Sequence, residues 1–118
     1  MKPDERDFAY LWDMLDAARK AERLVAGLDF AAFVDDERTS LAIERLLENV
    51  GEAARHVSSA LQDGHPEIPW QGIIGMRNVL AHQYGVIDQR KVWEAAKEGV
   101  SGLISLLEAI LPPESPPT

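Results

Sequence analysis

Arg77, Asn78, His82 and Tyr84 stand within eight consecutive residues, set among large aliphatics. Read as a helix, Trp70, Ile73, Ile74, Arg77, Ala81 and Tyr84 form one stripe at offsets of three and four. Arg77 therefore falls where an apolar residue is expected. A guanidinium keeps its proton, so the position requires either a paired Arg77 or a wet cleft. On an ideal helix Arg77 and Tyr84 lie about 20° from one face, whereas His82 sits about 140° around the axis from Arg77. An arginine fork binds phosphate bidentately, and an imidazole trades protons near neutral pH. Together they suit metal-independent cleavage of an RNA phosphodiester. A base takes the 2'-hydroxyl proton while the guanidinium stabilises charge on phosphorus. The leaving 5'-oxygen also needs an acid, and this stretch supplies one His per chain. A two-fold dimer would set two Arg77/His82 pairs across one cleft. Asn78 can orient His82 or touch the phosphate. The same residue types have plainer uses: His82 as a helix C-terminal cap, Arg77 in a structural ion pair, Tyr84 in the core with its hydroxyl at the rim.

The elements that must position this stretch are helices. Asp4 caps a first helix, with Glu5 and Asp7 in its first turn, a stripe of Phe8, Leu11, Trp12, Leu15, Ala18 and Val25, and a stop at Gly27. Phe30 to Val34 reads as a helical turn tucked under the bundle, and Asp35-Asp36 caps the next helix. That helix is expected over 37–61, with Ile43, Leu46, Leu47, Val50, Ala53, Ala54, Val57 and Leu61 in register. Gly51 in its middle costs about 1 kcal/mol against Ala and suggests close approach of another helix. Glu48, Glu52 and His56 follow at one-turn spacing and read as a solvated polar face, their further roles open. Residues 62–69 are a loop, with Pro69 suited to the first turn of the motif helix. The motif helix runs from Trp70 to His82 or Tyr84 and carries Met76, Val79 and Leu80 on its other side, so one side is a candidate subunit interface. Gly85 ends it. Asp88 caps a last helix with the stripe Val92, Trp93, Ala96, Val100, Leu103, Ile104, Leu107 and Leu111. The expected fold class is all-α, a four-helix up-and-down bundle over 1–111 with short extra turns and a frayed proline-rich tail at 112–118.

The bulk numbers fit that picture. A chain of 118 residues, 46% apolar, suits one domain with one core. It has no cysteine, which excludes disulfides and thiolate metal sites. The three His residues lack metal-ligand spacing, and no cofactor or metal is expected. No apolar run approaches a membrane span and no signal peptide is visible, so a cytoplasmic protein is expected. A net charge of -8 argues against a broad basic surface for nucleic acid, while leaving room for a small local site.

The run Arg77-Asn78-Val79-Leu80-Ala81-His82-Gln83-Tyr84 resembles the Arg-x4-His-x-Tyr signature of the HEPN superfamily, in its HepT-like branch. Val50-Gly51-Glu52-Ala53-Ala54 resembles the Gly-Glu-Ala segment of that branch's central helix. Pro69-Trp70 ahead of Ile73 to Asn78, and Ile87-Asp88 ahead of Val92-Trp93, match its flanks. The resemblance spans residues 37–107. It implies an all-α homodimer with paired motifs at a shared cleft, and the toxin of a toxin–antitoxin pair whose partner is a minimal nucleotidyltransferase. It implies metal-independent ribonuclease activity with Arg77 and His82 in the catalytic positions, and neutralisation by adenylylation of Tyr84. An AMP there would set a negative phosphodiester against the Arg77 face. The alternative expectation is a non-catalytic, nucleotide-binding regulatory dimer that docks the nucleotidyltransferase.

Overall fold

The computed structural model describes residues 3–82 and 87–112. Tyr84, Gly85 and the tail from Pro113 onward lie outside the described residues. The order is α1 (Pro3–Val25), α2 (Phe30–Asp35), α3 (Glu37–His56), α4 (Ser59–Gly64), α5 (Trp70–His82), α6 (Gln89–Glu94), a π-helical turn (Ala95–Gly99) and α7 (Val100–Ile110). The fold is all-α, and no strand occurs among the described residues.

Local chemistry explains most boundaries. Gly27 takes a φ of 78° just beyond α1, a conformation that costs glycine little. Asp29 accepts from the Ala32 amide at 2.8 Å and starts α2; Asp36 accepts from the Thr39 amide at 3.1 Å and starts α3. Asp88 caps α6 through the Arg90 and Lys91 amides. The four main helices pack in the spatial order α5, α3, α1, α7. Leu11, Met14, Leu15 and Ala18 of α1, Ile43 and Ala54 of α3, and Leu107 of α7 are almost wholly buried between them. Phe33 of α2 closes one end of this core, packed against Trp93 with ring centroids 5.2 Å apart.

Several expectations are corrected. The long helix breaks at Val57, and Ser58 caps α4 by accepting from the Leu61 amide at 3.2 Å. That corner is tied down by Asp7, which accepts from the Ser58 amide at 2.9 Å and its hydroxyl at 2.6 Å. Asp7 is thus a buried side-chain anchor rather than a first-turn charge. Helix α1 already begins at Pro3, so Asp4 stands inside its first turn instead of capping it. Phe8, expected in the core stripe, is 38% exposed, and Met14, Ala17 and Ala21, outside that stripe, are buried. The last helix keeps its predicted stripe, with Ala96 and Val100 both buried, but passes through the π-helical turn.

Candidate active site

Helix α5 is held at two points. At its start the Trp70 indole N–H donates to the His65 carbonyl at 3.0 Å, and the ring is buried. Near its middle the helix approaches α3 at Gly51. A Cβ on Gly51 would collide with Arg77 Cβ and would stand 2.9 Å from the Ile73 carbonyl oxygen. The glycine expected to allow a close approach does so, opposite the motif arginine.

The Arg77 side chain is 20% exposed and settles the choice posed by its sequence position: it is both paired and open to solvent. Its Nη2 lies 3.0 Å from Glu52 Oε2, and its Nη1 donates to Asn78 Oδ1 at 3.0 Å. Its Nε is buried, with no hydrogen-bond partner among the described residues. Each Nη carries a second N–H, so the guanidinium keeps donors for an anion. Asn78 is exposed and His82, the last residue of α5, is exposed too. Because α5 stays helical from Arg77 to His82, the two side chains leave the axis about 140° apart. The structure therefore brings Arg77 and Asn78 together and leaves His82 to the side. Tyr84 lies outside the described residues.

Glu52 is the residue that sequence reading undervalued. Its Oε2 also accepts from Arg55 Nε at 3.0 Å, and its Oε1 lies 3.1 Å from His56 Nε2. The His56 ring stacks on Tyr10, centroids 5.2 Å apart and 22° between planes. The Arg55 hydrogen bond, and then that of His56, hold the Glu52 carboxyl below its ordinary pKa against a partial desolvation cost. The Glu52–His56 spacing was the available signal. Among the described residues no group of three or more His, Asp or Glu side chains is placed to hold a metal ion.

On its other side α5 is nearly bare. Met76 and Leu80 are only partly buried and Val79 is 44% exposed. Trp70 is the buried residue of this helix. A groove of ≈ 350 Å³ separates α5 from α7, with Leu47 and Val50 of α3 as floor and Ile73, Met76, Leu103 and Leu106 on its walls.

A sequence profile described as Ribonuclease HepT-like matches residues 14–110. The chain belongs to this HepT-like family of the HEPN superfamily. It is 34% identical over 110 residues to a Thermococcus cleftensis protein named "Probable ribonuclease HepT", covering 93% of this chain and 98% of that one. It is 30% identical over 102 residues to an RNase-named protein of Methanocaldococcus jannaschii, covering 86% and 94%. A similarly named protein of Caldanaerobacter subterraneus subsp. tengcongensis is 31% identical over 105 residues, covering 89% and 94%. No solved structure matches the chain. No helix among the described residues is long and apolar enough to cross a membrane.

Proposed function

We propose that the chain is a metal-independent endoribonuclease acting as a homodimer, the toxin of a pair with a minimal nucleotidyltransferase. Arg77 binds the scissile phosphate and stabilises the charge that grows on it, His82 is the general acid/base, and Asn78 orients the Arg77 guanidinium. The observation that carries this reading is the Arg77 guanidinium, anchored by Glu52 and Asn78 yet still 20% exposed, about one and a half turns before an exposed His82. The family supports the reaction class.

Two features support the proposed dimer. Arg77 and His82 diverge by about 140° on one helix, so the Arg of one protomer meets the His of its partner more readily than its own. The bare apolar side of α5 and the groove beside it offer the surface that a second copy would cover. Adenylylation of Tyr84 by the partner enzyme would add a phosphodiester for Arg77 to capture, blocking RNA.

The test is cleavage of a single-stranded RNA in excess EDTA by wild type, Arg77→Ala and His82→Ala. Each substitution should lower kcat by roughly 10²- to 10⁴-fold. Equal cleavage by all three would remove both assignments. Intact mass after co-expression with the nucleotidyltransferase should rise by one or more AMP units in wild type and not in Tyr84→Phe.

A further inference from the structure

Two adjacent residues of α3 receive Arg77. Gly51 admits the stem of the side chain, and Glu52 takes its Nη2 at 3.0 Å. The Glu52 carboxylate is itself crowded with donors: Arg55 at 3.0 Å on the same oxygen as Arg77, and His56 at 3.1 Å on the other. Resting on the reading of Arg77 as the phosphate-binding residue, we propose that Glu52 is its positioning residue. Glu52 fixes the plane of the guanidinium so that the free N–H on each Nη is held ready for an RNA phosphate, while Arg55 and His56 screen the carboxylate from that phosphate.

An arginine on a free stem loses rotamer entropy when it captures an anion; one already anchored loses less. Preorganised donors are also the ones that stabilise a transition state without reorganising. A carboxylate one guanidinium away from the reacting phosphate would by itself repel the substrate. The screen addresses that cost. Arg55 bonds the oxygen that Arg77 uses, so the carboxylate stays compensated while Arg77, still anchored, shares its charge with RNA. His56 is held in place by its stack on Tyr10. Asn78 takes the second edge of the guanidinium, leaving its tip as the open side.

The two effects of Glu52 separate in the kinetics. Wild type, Glu52→Gln, Glu52→Ala, Arg77→Ala and the double variant Glu52→Ala/Arg77→Ala are compared on one RNA, with kcat and KM measured apart. Glu52→Ala should lower kcat on the order of 10²-fold, and Glu52→Gln, which still accepts a hydrogen bond, only about tenfold. KM for RNA should fall in Glu52→Gln because a negative charge is gone. The double variant should be no slower than Arg77→Ala, since Glu52 acts through Arg77. A multiplicative loss in the double variant, or wild-type kcat in both Glu52 variants while Arg77→Ala is dead, overturns the inference and leaves the ribonuclease reading standing. Undiminished cleavage by Arg77→Ala overturns both. Should Glu52→Ala fail to fold, Glu52→Gln carries the test through the Arg77 side-chain NMR signal. Rotation about the Cζ–Nη bonds should be slow in wild type and fast in Glu52→Gln; equal rates in the two proteins overturn the anchor.

Discussion

The two seams beside α5 are made of helices with glycines in them, and one is shut while the other stands open. At the α3–α5 seam Gly51 faces Arg77 with no room for a methyl group. Along the α5–α7 seam Gly72, Gly99 and Gly102 border an apolar groove, and a Cβ on any of them would meet nothing within 4 Å. Helix-interior glycine costs about 1 kcal/mol against alanine wherever it stands. The closed seam has an internal reason for accepting that cost, which is the approach of two backbones and the seating of Arg77. The open seam has none among the described residues. One residue type thus marks packing within the chain in one place and an uncovered face in the other.

The sharpest way to break this contrast is at Gly51. Gly51→Ala should gain helix propensity yet destabilise by roughly 1–3 kcal/mol, because the added methyl pushes Arg77 and α5 away from α3. Urea unfolding measures it, and RNA cleavage should fall with it. A Gly51→Ala protein as stable as wild type would mean that the seam is looser than described. A comparable loss is expected at the other tie on α3, the corner with α4. Asp7→Ala leaves the Ser58 amide without its acceptor and should cost about 1–3 kcal/mol in the same experiment.

The open seam should respond the other way. Gly72→Ala and Gly102→Ala should each stabilise the protomer by up to about 1 kcal/mol while weakening self-association in sedimentation. Stabilisation with unchanged association would place the dimer contact elsewhere on α5. The smallest expected effect is on pH dependence. The folded pKa of Glu52 is depressed below its unfolded value, chiefly by Arg55. Its contribution is therefore present above the ordinary carboxylate range and lost as pH falls through it. Glu52→Gln should show a shallower decline in stability on acidification than wild type.

What could be read from the chain alone followed periodicity. Val92, Ala96, Val100, Leu103, Ile104 and Leu107 were expected inside and are buried. Asp36 and Asp88 were expected as caps and accept from the amides just beyond them. What could not be read depended on distant partners. Helix α3 ends at His56 because Asp7, 51 positions before Ser58, holds the next cap. Phe8 keeps helical spacing with Leu11 and Leu15, yet it is 38% exposed, while Asp7 beside it is the residue buried against Ser58. Arg77 was legible as an anomaly on an apolar stripe, but its partner Glu52 was not. The spacing of Glu52 to His56 is that of any solvated helix face, and only the fold sets it beside a residue 25 positions later.

The central claim is that Arg77 of one protomer and His82 of the other act on one RNA phosphate. Mixing Arg77→Ala and His82→Ala proteins after reversible dissociation tests it most directly. Half of the dimers formed are then mixed, each with one intact composite site, so about a quarter of wild-type cleavage should return. A mixture as inactive as either parent, with exchange of protomers verified by mass, would contradict the shared cleft.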